Sequence, residues 1–215
     1  MIQNTWRIAQ PLVNAAFSPE TRPDVRRRSG IVTGPARSII EKLDYRRMHV
    51  PNPDHQAVEF TSCSVEQTSQ VGYHLGELLA AGDVICLLGE LGAGKTVLAR
   101  GVGMGWGALE PVTSPTFTLI HEHHRIQDNR MLYHVDCYRL LGADDAWGIG
   151  LEDVLHGDGS VLVEWPEHVQ DVLPAQRLWV ELEFLDDTRR HVTVGATGPR
   201  YEALLQALRP WLPNP

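Results

Sequence analysis

Residues Gly89 to Thr96 read G-E-L-G-A-G-K-T and satisfy the spacing G-x-x-x-x-G-K-[ST] at every position. Glycines at this spacing let backbone N–H groups turn toward a polyphosphate without side-chain obstruction. In such a loop Lys95 reaches the β- and γ-phosphates, and the Thr96 hydroxyl is presented to magnesium. Glu90, Gly92, Ala93, Gly94 and Val97 complete the stretch that would line the phosphates. Apart from Lys95 the chain has one other lysine, Lys42. A phosphate-binding loop, and so a nucleoside triphosphatase, is the first reading.

Magnesium wants oxygen ligands, commonly a carboxylate bound directly or through water. Two acids close apolar runs downstream. Asp136 ends M-L-Y-H-V-D, and Glu164 ends S-V-L-V-E ahead of Trp165 and Pro166. The carboxyl ends of strands are where an α/β sheet presents its ligands. One acid would hold magnesium while the other orients the attacking water, and spacing alone does not divide those roles. Ser114, Pro115, Thr116 and Phe117 form a compact polar segment. Ser114 or Thr116 could touch the γ-phosphate or magnesium as a switch, or the segment could be an ordinary turn.

The flanking pattern supplies the elements that must position these groups. Asp83 to Leu88 reads as a buried strand entering the loop, and Thr96 to Trp106 as the helix leaving it. Glu59 to Cys63 predicts a first strand. Ser64 with Gln67 resembles a capping box opening a helix over Val65 to Ala81. Strands are expected at Thr116–His123, Met131–Asp136 and Ser160–Glu164, with a short helix at Gly150–Leu155. A closing hairpin is expected from Arg177–Phe184 and His191–Val194, then a short helix at Tyr201–Leu208. The fold class is α/β: a P-loop NTPase three-layer fold with a mixed central β-sheet.

The chain of 215 residues carries a formal net charge of −8. Residues 1–50 hold nine basic and four acidic side chains, so the remainder carries about −13. That acidic body argues against general nucleic-acid binding, while a local patch stays possible. No apolar run approaches a membrane span, and the N-terminus lacks the apolar core of a secretory signal. Cys63, Cys86 and Cys137 are too few and too scattered for a disulfide framework or a recognisable metal site. A cytoplasmic location is the expectation. The proline-bearing, arginine-rich stretch 1–58 reads as an N-terminal extension, with one possible helix at Ser38–Met48. Residues 59–198 read as the ATPase domain and 199–215 as a short helix and tail.

Taken in order, G-E-L-G-A-G-K-T, S-P-T-F, H-V-D-C-Y-R and V-E-W-P resemble the bacterial TsaE family, the ATPase subunit of tRNA threonylcarbamoyladenosine biosynthesis. The similarity runs from about Glu59 to Thr193 and includes T-S-C-S-V-E-Q-T, Arg100–Gly101 and G-I-G-L-E-D. The resemblance implies slow hydrolysis of ATP with Mg2+. It also implies two partners of actin-like fold, one of them the transferase acting on N6 of adenosine 37. The tRNA itself would be reached through them. By the same resemblance Lys95 and Thr96 serve phosphate and magnesium, Ser114–Phe117 the γ-phosphate, and Asp136 and Glu164 metal and hydrolysis. Thr61, Glu66 and Thr68 fall beside the base, Trp165 offers an aromatic surface, and Tyr138 and Arg139 share the signature. ATP preference rests on the resemblance, since no N-K-x-D guanine motif is present. A small-molecule kinase or a non-catalytic ATP-dependent binding module are the alternatives. The segment H-E-H-H-R at His121–Arg125 departs from the family pattern. Its alternation sets His121 and His123 on one strand face and His124 on the other, with no fourth zinc ligand evident.

Overall fold

The computed structural model describes residues 56–114, 119–125 and 127–213. The basic arm up to residue 55, including the expected helix at Ser38–Met48, lies outside the described residues, as do Pro115, Thr116 and Phe117.

A seven-stranded sheet has the order β1-β7-β6-β2-β5-β4-β3. Its strands are β1 (Ala57–Ser62), β2 (Val84–Leu88), β3 (Ile120–His124), β4 (Met131–Asp136), β5 (Ser160–Glu164), β6 (Arg177–Phe184) and β7 (Arg190–Thr197). The middle of the sheet is parallel, with β2 between β5 and β6 and β4 beside β5. The margins are antiparallel: β6–β7–β1 on one side and β4–β3 on the other. The sheet is therefore mixed, as the sequence predicts.

Every residue of β2 and β5 is buried, because helices and turns cover both sheet faces. One face carries Ile85, Leu87 and Leu162. It packs on α1 (Val65–Glu77), α2 (Lys95–Trp106) and α5 (Pro199–Leu208). The other carries Cys86, Leu88 and Val163, under α3 (Ala143–Gly148), α4 (Leu151–Leu155) and two 3₁₀ turns near Val169. Among the described residues no helix is long and apolar enough to cross a membrane.

Several boundaries differ from the sequence expectation for identifiable reasons. Helix α1 starts as expected: Ser64 Oγ accepts from Gln67 N–H, and the Gln67 amide oxygen accepts from Cys63 N–H at 2.6 Å. It stops at Glu77 rather than Ala81, because the Asp83 carboxylate takes the Ala80 N–H at 2.8 Å and Gly82 turns with φ +80°. Strand β7 extends three residues past Val194. Gly195 sits opposite Trp179, whose indole occupies the space a Cβ would need, so the glycine does not end the strand. Strand β3 begins at Ile120, later than Thr116. Helix α3 was not foreseen; it is nucleated by the Asp145 carboxylate accepting from Leu141 N–H at 2.8 Å. Helix α5, set apart in the sequence reading, buries Tyr201, Leu204, Leu205 and Leu208 in the same core as α1 and α2.

Candidate functional site

The loop between β2 and α2 holds the residues of the predicted phosphate-binding motif. Gly89, Gly92 and Gly94 all have positive φ, at +133°, +81° and +107°. At Gly89 a Cβ would also collide with the Leu182 carbonyl, so no other residue fits there. Helix α2 opens at Gly94 with no side-chain cap and no acid in its first turn. Its N–H groups and dipole are thus left to an anion. Glu90 and Gly92 are exposed, Ala93 is buried, and Val97 N–H closes the first turn onto the Gly94 carbonyl at 3.0 Å.

Lys95 is only 5 % exposed. Its Nζ donates to the carbonyls of Gly89 (2.6 Å) and Glu90 (3.0 Å) and lies 3.8 Å from the centre of the Trp165 ring. Burial holds its ammonium below the usual lysine range, and the fields of Glu164, Glu167 and Asp136 oppose that shift. Trp165 is the single non-glycine residue with positive φ among the described residues, at +58°. That conformation turns its indole over Lys95 and beside Tyr138, at a ring separation of 4.9 Å.

The two acids meet at adjacent strand ends. Asp136 on β4 is the register partner of Glu164 on β5, and Glu164 pairs with Leu87 just before the loop. Glu164 is 3 % exposed; its Oε1 accepts from His134 Nε2 at 3.0 Å and lies 3.5 Å from Thr96 Oγ1. Asp136 is half-buried, and its Oδ1 accepts from Tyr138 N–H at 3.0 Å. Lys95, Thr96, Asp136 and Glu164 therefore gather at one end of the parallel sheet, where a hydroxyl and two carboxylates form an oxygen set suited to magnesium.

The remaining predicted residues are more dispersed. Thr68 is buried, with its hydroxyl 2.7 Å from Ser62 Oγ and 3.2 Å from the Ser64 carbonyl. Thr61 is half-buried at the end of β1, and Glu66 is exposed in the first turn of α1. This end of β1 is linked to the loop: Ser62 pairs with Arg190, whose Nε donates to the Ala93 carbonyl at 2.9 Å. Ser114, Tyr138 and Arg139 are exposed. Thr116 lies outside the described residues. His121 and His123 share a face with ring centres 6.3 Å apart, while His124 is exposed.

Sequence reasoning missed His134 and Arg190. His134 had a legible signal, standing two residues before Asp136 and hence on the same face of the strand. Arg190 had none, because its partner is 97 residues away.

The family model described as "Threonylcarbamoyl adenosine biosynthesis protein TsaE" matches residues 62–192. This chain belongs to the TsaE family. It is 39 % identical over 133 residues to a TsaE protein of Treponema pallidum, covering 62 % of this chain and 96 % of the relative. A Bacillus subtilis TsaE protein is 36 % identical over 152 residues, covering 70 % and 93 %. One from Streptomyces coelicolor is 43 % identical over 137 residues, covering 61 % and 92 %. All three bear the name tRNA threonylcarbamoyladenosine biosynthesis protein. The fold is similar to the crystal structure of Bacillus subtilis YdiB, with a TM-score of 0.63 and 32 % identity, over 74 % of this chain and 98 % of that one. The TsaE match starts at the end of β1 and closes inside β7, so it contains β2, the loop, α2, β4 and β5 whole.

Proposed function

We propose that this TsaE-family chain is the ATP-binding and slowly hydrolysing subunit of the machinery that installs threonylcarbamoyl on N6 of adenosine 37 in tRNA. The observation that carries the reading is the convergence of Lys95, Thr96, Asp136 and Glu164 on one phosphate loop inside the family match. In this reading the glycine loop and the N-terminus of α2 bind the triphosphate through backbone N–H groups. Lys95 exchanges its carbonyl bonds to Gly89 and Glu90 for phosphate oxygens. Thr96 with Asp136 and Glu164 holds magnesium, which supplies charge neutralisation across the phosphates when bound. Glu164, buried and fixed, also orients the attacking water. The reading assigns Ser114 and Thr116 to the γ-phosphate and Thr61 and Thr68 to the base side, with Trp165 shielding the Lys95 ammonium.

The partners in this reading are the threonylcarbamoyl transferase subunit and its companion of actin-like fold, with tRNA reached through them. Exposed apolar side chains at the loop support a partner-completed site: Leu91 within it is 83 % exposed, and Tyr138, packed on the Trp165 that covers Lys95, is exposed as well. Closure by a partner would exclude water and raise a low intrinsic rate.

The test is multiple-turnover threonylcarbamoylation of tRNA by the two partner subunits, with this protein as wild type or Lys95→Ala. Repeated turnover should require the wild-type chain and ATP, and Lys95→Ala should allow no more than the first round. Equal turnover with and without the chain would refute the role.

A further inference from the structure

We infer that His134 is the positioning residue for Glu164, fixing the carboxylate on which the proposed hydrolysis depends; this deepens the reading of Glu164 given above. His134 is fully buried on β4, two residues before Asp136 on the same strand face, and is paired with Leu162 rather than with Glu164 itself. It reaches diagonally to Glu164 on β5, Nε2 to Oε1 at 3.0 Å. Its neighbour along that face, Leu132, is wholly buried and apolar. An imidazole in such a row costs free energy unless a polar partner repays its desolvation, and Glu164 is that partner.

The bond has a direction. An ionised carboxylate only accepts, so the proton sits on Nε2. His134 Nδ1 is buried with no hydrogen-bond partner. Thr96 Oγ1 approaches the same oxygen, Oε1, at 3.5 Å. Neither contact uses Oε2. A carboxylate anchored through one oxygen keeps a single orientation at the strand end, whereas an unanchored glutamate would sample several rotamers.

Asparagine and glutamine at position 134 separate positioning from packing. The glutamine amide extends to where Nε2 stands, while the asparagine amide stops near Nδ1. Single-turnover hydrolysis of ATP, the Mg2+ dependence of binding a non-hydrolysable ATP analogue, and Tm are measured on the full chain. His134→Asn should lower the hydrolysis rate about 10–100-fold and raise the Mg2+ requirement about tenfold, as loss of a ligand's orienting partner does. Analogue affinity at saturating Mg2+ should change less than about threefold, and His134→Gln should restore rate and Mg2+ requirement to near wild type. In a Glu164→Ala background His134→Asn should have no further effect on either. A folded His134→Asn protein with wild-type rate and Mg2+ requirement overturns the inference, as do equal losses in the Asn and Gln variants. Should His134→Asn fail to fold, His134→Gln decides alone, near-wild-type values supporting the inference and a tenfold loss overturning it. A wild-type protein that binds the analogue but hydrolyses nothing refutes the ATPase reading instead, and the Mg2+ shift then decides the role of His134.

Discussion

At Lys95 one side chain is served by three kinds of interaction: backbone carbonyls at the loop's base, an indole face, and the field of nearby carboxylates. In the proposed function this cluster holds a buried cation for a polyanion, since carbonyl bonds are readily exchanged for charge-assisted bonds to phosphate. Arg190 supports the loop from the far side by gripping the Ala93 carbonyl. Arg190→Ala should therefore weaken binding of a non-hydrolysable ATP analogue about three- to tenfold, near 1 kcal/mol, measured by titration calorimetry. The cysteines differ sharply. Cys63 is exposed, whereas Cys86 and Cys137 are buried, and burial pushes the Cys86 thiol up to about 12 and Cys137 higher than its ordinary value. The thiolate is the reactive form, and a raised pKa keeps the thiol protonated across neutral and mildly alkaline pH. Alkylation of the native protein at pH 8 should label Cys63 alone, with Cys86 and Cys137 reacting only after denaturation. Mass-spectrometric labelling of either buried thiol in the folded protein would contradict this packing.

Among the elements, α1 and α2 form a contact that depends on missing side chains. A Cβ at Gly72 or Gly76 would strike the carbonyls of Leu98 or Val102, and one at Gly101 or Gly105 those of Ser69 or Tyr73. Four glycines thus let two backbones approach more closely than any larger residue allows. Because α2 begins at Lys95, this seam packs α1 directly on the helix that leaves the loop. Gly101→Ala should destabilise the fold by about 1–3 kcal/mol or more, since the clash is with backbone and cannot be relieved by a rotamer change. Chemical denaturation measures the loss, and an unchanged midpoint would show that the helices separate at no cost. In the sequence these glycines look like weak helix formers, and the motif R-G at Arg100–Gly101 carried a family signal without a mechanism. Periodicity on one helix does not reveal which backbone will lie against it.

For the whole molecule, the C-terminal helix α5 completes the core of the face that carries the loop. Tyr201, Leu204, Leu205 and Leu208 are all buried, and the Tyr201 hydroxyl accepts from Val84 N–H at 2.8 Å at the start of β2. Arg200 beside it pairs with the buried carboxylate of Asp83. Four buried side chains at about 1.5–3 kcal/mol each amount to most of a domain's net stability of about 5–15 kcal/mol. Truncation after Thr197 should abolish cooperative unfolding, seen by circular dichroism, while Tyr201→Phe should cost about 1–3 kcal/mol by leaving Val84 N–H unpaired. A truncated chain that unfolds with the wild-type midpoint would show α5 to be dispensable.

The phosphate loop, the strand before it, the helix after it and both strand-end acids were legible in the sequence, because each depends on local chemistry. A glycine spacing, an apolar run and a closing carboxylate can be read from neighbouring residues. The order of the sheet strands, the opposition of Asp136 to Glu164 and the diagonal reach of His134 became visible only once β4 and β5 lay side by side. The brace from Arg190, the seating of Trp165 on Lys95 and the role of α5 in the core belong to the same class. Those facts join residues tens to more than a hundred positions apart, and no local pattern encodes such distances. The sequence by itself determined which groups could do chemistry on a triphosphate. Tertiary structure decided which of them share a site, because hydrogen bonds and buried charges act over a few ångströms of space whatever their separation along the chain.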